Sequence, residues 1–573
     1  MKRTVSSANG GMALVAALLF ITLALIVLGA LSIRLVGQTR VVEHYESYKD
    51  CFQGLEAALA ASVTEVEKGE DGIIGMDGWV AEYDENNAFV FPDLDGGAVS
   101  PASMDSMPNV EFAAYAVNWF TDGRDSNGDT IVDSVEERFM WSICAAAQHG
   151  ESQRQAEVVY EGKDVNVWRN AIFAGSGQAG GLINGNVSIH GSVHLLGDGL
   201  VAGGVALAAL DLSGTSLIHN NYEGLDPTLR ERVPELDETL FNGEAVHTLE
   251  ANLRVKNGLV GMSGNSEIGE PDMAGDDIKE TMDGTYVADG WTGNSVLDDG
   301  DRGDSTAVFS DNGWDEGYDL GDKVAFPVLT DDWRDPNDGS RVQDPATGVW
   351  YTHEDYFSQV LVADENDPVD GVYSGNIVLN ARGTSFYWNA TTGEELSGAD
   401  AEAATPNPSD DYIQFNAGAN TLLMNGQIRV DGTLTFKGQG NDTTINYSGR
   451  AAMLVYGNVT IDANLLACNN GDPTDTIESF PANNIIGIMA SQDMMVGSTS
   501  QLEIMGAFYA QGKITAQKQT DVMGTFVSNY FDMGTNVPSI YQVPDLADNL
   551  PLGMIGNYPI LALSRVSWRE VGG

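Results

Sequence analysis

The sequence predicts a mainly β protein with one long N-terminal α-helix, a small α+β head and then a β-solenoid (β-helix-like) domain carrying long acidic insertions. Three observations predict it. An apolar run fills Met12 to Ile33, and helical spacing continues past its end. Glycine is abundant, 66 residues with no collagen period, which signals many turns. A glycine followed by a short alternating strand recurs along the chain. With 43% hydrophobic residues the chain can bury a large core. Its 83 acidic and 28 basic residues give a net charge of −55. That excludes nucleic-acid binding, which needs clustered Lys and Arg, and suits cation binding or saline water.

The helix comes first. Lys2 and Arg3 open a polar stretch ending in Asn9-Gly10-Gly11, ahead of the apolar run. About 20 apolar residues span the ~30 Å hydrocarbon core of a bilayer. Beyond Arg34 and Arg40, Val41, Tyr45, Tyr48, Phe52, Leu55 and Leu59 recur at steps of four and three. They form one stripe, the pattern for burial against a partner. Three readings compete. A cleaved signal peptide has a shorter core and a small-residue cleavage site, for which Leu31-Ser32-Ile33-Arg34 is poor. A signal anchor is the second. The third is a prepilin-type leader cut after Gly11, which explains the glycine pair before the run and the helix continuing after it. In the last two, Lys2 and Arg3 stay in the cytoplasm and the bulk faces outward, although Arg34 and Arg40 lie just past the other end.

Gly11-Met12-Ala13-Leu14-Val15-Ala16-Ala17-Leu18-Leu19, followed by Gln53-Gly54-Leu55-Glu56-Ala57-Ala58-Leu59, resembles the N-terminal region of PilX-type minor pilins, type IV pilus assembly proteins of Gram-negative bacteria. The resemblance covers near a tenth of the chain. It implies cleavage after Gly11 by a prepilin peptidase, methylation of the new amino terminus at Met12, and packing of the helix among other pilins. It also implies an inner-membrane protein with a periplasmic ectodomain that later reaches the pilus or cell surface. Major pilins carry a Glu as the fifth mature residue, where this chain has Ala16. A carboxylate in the membrane is costly unless paired, and in major pilins it is thought to pair with a neighbour's amino terminus. Its absence suits a rare initiating or tip position.

The expected plan is a leader at 1–11, the membrane and filament helix at 12–68, the head at 69–165, a solenoid-like domain at 166–545 and a C-terminal tail at 546–573. In the head, Trp79–Tyr83 and Val110–Tyr115 read as short strands. Asp125, Asn127, Asp129, Asp133 and Glu136 fall at positions one, three, five, nine and twelve of a calcium loop, with Ile131 offering its carbonyl. Calcium is therefore the expected cofactor, although Thr130 stands where such loops want Gly, and a solvated acidic turn is the alternative. Cys51, Cys144 and Cys468 show no metal spacing. A Cys51–Cys144 bridge is plausible in an oxidising periplasm, against three buried small hydrophobes.

The recurring pattern appears at Gly185–Ile189, Gly191–Leu195, Gly426–Val430, Gly457–Ile461 and Gly512–Ala516, with Thr433–Phe436 behind the third. Short strands with glycine corners suggest stacked rungs; a β-sandwich with long loops is the alternative. Roughly 225–410 reads as an acidic insertion. Within it, Asp311, Asp315, Asp319 and Asp322 would make a second calcium site. Arg302-Gly303-Asp304-Ser305 matches an integrin-binding tetrapeptide by chance. Trp291, Trp314, Tyr318, Trp333, Trp350 and Tyr351 could stack on sugars, but covering a loop's own small core is the commoner use.

Enzyme chemistry finds little support. There is no Gly-x-Ser-x-Gly, HExxH or Walker-type loop. His190 and His194, with His219 near, read as solvated or Asn-paired more readily than as metal ligands. The expected function is a non-enzymatic minor pilin-like subunit, priming or capping a filament and presenting an acidic surface to a surface or glycan ligand for adhesion. The rival is a signal-anchored β-helix enzyme or binding protein acting on polysaccharide, which rests on fold analogy alone.

Overall fold

The computed structural model describes residues 9–68, 72–76, 82–83, 89–90, 101–104, 107–119, 139–150, 152–177, 188–202, 204–292, 307–336, 339–357, 371–438, 443–498, 501–533 and 538–570. The chain is mainly β with one long N-terminal helix. It divides into two compact units, one made of 1–163 with 561–573, the other of 164–560. The second is thus inserted between two strands of the first.

The first unit begins with the helix Asn9–Glu67. Its sheet runs in the order Ala102–Met104, Met107–Asn118, Met140–His149, Ser152–Asp164 and Leu561–Glu570. The two central pairings are antiparallel. One sheet face packs Phe112, Ala114, Ile143, Ala145, Ala147, Ala156 and Val158 against Leu55, Ala58, Leu59 and Val66 of the helix. The other face buries Ala113 and Ala146 under Met76. The expected tail at 546–573 is a different object. Pro544–Asn549 is a 3-10 turn, and Leu561–Glu570 is the last strand of this sheet. Alternation in so short a segment does not reveal a partner strand that lies far back in the sequence.

Of the two readings of the cysteines, a Cys51–Cys144 bridge and three buried small hydrophobes, the second holds: all three are buried and none is in a disulfide. Cys51 donates to the Ser152 carbonyl at 3.1 Å, whereas Cys144 lies opposite Glu157. Five strand residues separate those two points, about 16 Å, and a disulfide needs Cα atoms within about 7 Å.

The second unit is built from parallel ladders. Along one, Tyr373, Val430, Val455, Ala490, Ala510, Ser528, Ala174, Leu195, Val255 and Val287 stand in register, each beside the next. Along a second stand Ile445, Leu465, Ile504, Val522, Ile540, Ile189, Ile218, Ile268 and Val308. None of the second set is more than 5% exposed. A third runs Ile377, Leu434, Val459, Met494, Ile514 and Phe531. Side chains alternate across a strand, so every second residue points inward and stacks on its equivalent ~4.8 Å away. Each buried aliphatic contributes about 1.5–3 kcal/mol.

The corner glycines follow from this stacking. A Cβ on Gly457 would strike the Gly432 carbonyl, and one on Gly432 the Gly375 carbonyl, so no side chain fits there. Antiparallel pairing, which a sandwich would require throughout, is confined among the described residues of this unit to local hairpins, isolated bridges within 332–352 and the run from Phe386–Asn389 to Thr421–Asp431.

The expected acidic insertion at 225–410 is only partly one. Asn252–Val255, Gly284–Val287, Val372–Ser374 and Ile377–Asn380 all join the ladders. Acidic loops dilute the hydrophobic pattern around these four short strands, which hid them.

Candidate functional site

The helix divides into two physically different halves. Gly11 and Met12 lie in its first turns, which begin at Asn9. From Leu18 to Val42 its large apolar side chains are exposed, Phe20 at 77% and Ile33 at 76%. The run Met12–Ile33 is roughly 33 Å long at 1.5 Å per residue, and the helix is long and apolar enough to cross a membrane. An exposed apolar surface this continuous calls for lipid or neighbouring helices.

The C-terminal half is packed. Cys51, Leu55, Ala58, Leu59, Ser62 and Val66 are buried. The approach is close: a Cβ on Gly54 would lie 2.5 Å from Val110 Cγ1 and 3.1 Å from Ala147 Cβ. Polar contacts fix the angle. Arg154 lies over the Tyr48 and Phe52 rings, 4.3 and 5.0 Å from their centroids. Ser47 donates to the His149 carbonyl at 2.7 Å, and the Leu563 N–H donates to Glu67 at 3.0 Å. Of the stripe expected from sequence, Phe52, Leu55 and Leu59 pack, whereas Val41, Tyr45 and Tyr48 are exposed. The small residues opposite it were missed as a docking surface, although Ala145 and Ala147, two residues apart on one strand face, were their signal.

The remaining site residues fall as follows. Asp125, Asn127, Asp129, Ile131, Asp133 and Glu136 lie outside the described residues, as do Arg302, Gly303 and Asp304. The strands on either side of the calcium-type segment pair, with Asn118 opposite Trp141. Asp311, Asp315, Asp319 and Asp322 are not gathered as ligands. Asp311 pairs with Lys279 at 2.8 Å, Asp319 with Arg254 at 3.1 Å and Asp322 with Lys256 at 2.5 Å. Asp315 accepts the Gly317 N–H at 2.8 Å. Basic side chains on the ladder take up this acidic segment. Among the described residues no three His, Cys, Asp or Glu side chains converge as a metal centre.

His190 stacks between His219 and Tyr541, at 4.4 and 4.3 Å between ring centroids. His194 is bonded to the Tyr318 hydroxyl. All three histidines are buried rather than solvated. Burial is the main cause that holds His190 down to about 3 and His219 to about 4. The neutral, stacked rings of His190 and His219 are packing groups here. The aromatics of the acidic segment serve local cores: Trp291 meets Trp314 edge-on at 6.3 Å, Trp333 stacks on Tyr356 at 5.4 Å, and Arg341 covers Trp350 at 4.4 Å.

No family model matches this chain. None of the curated proteins matches it either. Among solved structures, the competence-associated pilin ComZ from Thermus thermophilus is similar over 92% of this chain and 97% of its own, with a TM-score of 0.44 and 16% identity. Both values are low.

Proposed function

We propose that this chain is a minor pilin-like subunit of a type IV pilus or related filament. The observation that carries the reading is the two-part helix, bare and apolar from Leu18 to Val42, then packed on an antiparallel sheet from Cys51 to Val66. A soluble protein has no use for the first half, and a simple anchor needs no continuous rigid extension into the head. With Gly11 before the apolar run and Ala16 in place of an acid, the subunit primes or caps assembly. The inserted unit is inferred to be a β-solenoid that presents an acidic surface outside the inner membrane for adhesion. Calcium bound by Asp125, Asn127, Asp129, Asp133, Glu136 and the Ile131 carbonyl is part of the same reading.

The test is the mature amino terminus, read by mass spectrometry. Cleavage after Gly11 with a methylated Met12 supports the proposal. An intact Met1 in membrane-inserted protein favours a signal-anchored surface protein instead. Replacing Gly11 by a bulky residue should leave full-length, unassembled protein in the membrane.

A further inference from the structure

The loop 269–283, between Glu267–Ile268 and Gly284–Val287, carries Glu270, Asp272, Asp276, Asp277, Glu280 and Asp283 against a single cation, Lys279. Lys279 is committed: its Nζ bonds Asp283 at 2.6 Å and Asp311 at 2.8 Å. Glu280 is only 3% exposed. Its Oε2 accepts the Met273 N–H at 3.2 Å, but its buried Oε1 has no hydrogen-bond donor. The Asp272 carboxyl stands within hydrogen-bonding reach of it, with the Asp276 charge close by.

Backbone hydrogen bonds hold the loop in place on both sides of Glu280. The Glu270 N–H donates to the Glu280 carbonyl at 3.1 Å, and the Lys279 N–H to the His247 carbonyl at 3.0 Å. The His247 N–H donates to the Asp277 carbonyl at 2.7 Å, and the Gly275 N–H to the Glu244 carboxylate at 2.9 Å. Two carboxylates held in contact, one of them buried, cannot both stay ionised without a positive partner. Burial is the largest cause that lifts Glu280 to about 7 when no partner is present.

Either a proton or a metal ion fills that role. Asp272 is exposed, so the contact opens to solvent on one side and an ion can enter. A proton offsets one charge in this loop, a divalent ion two. Hard carboxylate oxygens suit a hard cation, and an ion that keeps several waters needs only one or two carboxylates. We propose that Glu280 and Asp272 bind a hydrated divalent cation, calcium or magnesium, with Asp276 adding negative charge at the rim. Water completes the coordination, and the bound ion locks the loop onto the hairpin Glu238–Phe241 and Glu244–His247, whose Asn242 already reaches Asp272 at 3.4 Å.

The test uses the full-length chain in detergent, in an Asp125→Ala, Asp129→Ala background so that the head segment contributes no binding. Calorimetric titration with calcium alone and with magnesium alone should show one site with a Kd on the order of 10⁻⁴–10⁻³ M. Glu280→Gln should weaken it at least tenfold. Glutamine keeps an acceptor for the Met273 N–H and turns an amide donor toward Asp272. In chelator, therefore, the variant should melt as high as the parent or higher, while losing the rise that calcium gives the parent. Equal binding by parent and variant overturns the proposal. So does a parent that binds no ion and gains stability as pH falls from about 8 to 6, equally with and without calcium; that pair holds a proton.

Discussion

Phe526 stands beside Ile172 in a parallel ladder, so the last long strand of the inserted unit stacks on its first. The chain enters mid-stack and runs outward through Leu195, Val255 and Val287. It then crosses to the opposite end at Tyr373 and works back to Ser528. Entry and exit are clasped: the Ile560 N–H donates to Asp164 Oδ1 at 3.0 Å, and the Val165 N–H to the Ile560 carbonyl at 2.8 Å. The crossover covers the outer side of the first ladder, where Phe326 stacks on Tyr509 at 5.8 Å and the Tyr509 hydroxyl donates to the Pro327 carbonyl at 2.7 Å.

A seam closed in this way makes 164–560 a self-contained body. Expressed alone, it should unfold in one cooperative denaturant transition. Phe526 is 1% exposed and meets Phe508 edge-on at 5.5 Å. Phe526→Ala should lower the unfolding free energy by about 3–5 kcal/mol, as for other aromatic deletions from cores. Two transitions in the parent, one for each half of the stack, would contradict a closed seam.

The helix–sheet contact gives a second expectation. Gly54 faces Val110 with no room for a Cβ. Helix propensity alone would favour replacing it, by up to about 1 kcal/mol for alanine, but Val110 is β-branched and stiff. Gly54→Val should therefore destabilise the head by about 1–3 kcal/mol, the usual cost of overpacking. Thermal unfolding followed by near-UV circular dichroism checks it; an unchanged midpoint would mean that the helix floats on the sheet.

How much of this was legible depends on whether the signal was local. Phe52, Leu55 and Leu59 declared a packed stripe because helical period shows in a short window, but Val41 and Tyr45, expected in the same stripe, are exposed. The strand expected at Val110–Tyr115 lies within Met107–Asn118, and Gly457–Ile461 announced Val459–Asp462 through one turn glycine and one alternation. What stayed hidden was pairing at a distance. Nothing in Leu561 to Glu570 says that its partner is Ser152–Asp164, and nothing near Ile172 names Phe526. The ion pairs of Asp311, Asp319 and Asp322 were equally hidden, because Lys279, Arg254 and Lys256 reach them only after the ladders form. The contact of Glu280 with Asp272 lacked a signature because Glu280 differs from its acidic neighbours by burial, not by spacing.

Ala16 leads to an expectation about copy number. Under the proposed processing after Gly11, a chain without a carboxylate near its mature amino terminus would offer a neighbour no charge pair of the kind attributed to major pilins, and an unpaired one would be costly in lipid. A few copies per filament are expected, at or near one end. Immunogold labelling would show this directly, and uniform labelling along the shaft would contradict it.

Buried histidines set an acid limit. Burial first, then the charge of His219, holds His190 at about 3; burial holds His353 at about 4. In the unfolded chain each titrates near 6.5. Between about pH 6.5 and 4 the unfolded state therefore binds more protons, and stability falls as pH falls, by about 1.4 kcal/mol per unit for each histidine. Buried carboxyls held high, such as Asp164 and Asp521, act in the opposite sense. The informative comparison is thus parent against variant. His353 has no hydrogen-bond partner at either nitrogen, so His353→Phe removes no bond. It should lose about 2 kcal/mol less than the parent between about pH 7 and 5, by denaturant unfolding at both values. Parallel losses would mean that His353 is protonated in the folded state.

The head segment gives the calcium expectation. Asp125, Asn127, Asp129, Asp133 and Glu136 crowd several formal charges into one short stretch, between strands that pair with Asn118 opposite Trp141. Without a cation their repulsion should open the segment; with one they become ligands. A Kd near 10⁻⁴ M, typical of extracellular modules, adds roughly 1.4 kcal/mol at millimolar calcium. That is small against the stability of a whole domain, so the effect should appear first as local protection. Limited proteolysis of the soluble ectodomain, with calcium and with chelator, should show cleavage within 120–138 suppressed by calcium. The Asp125→Ala, Asp129→Ala variant should be cut at the same rate in both conditions. If calcium protects that variant as well as the parent, the segment is an acidic turn and the protection arises elsewhere in the chain.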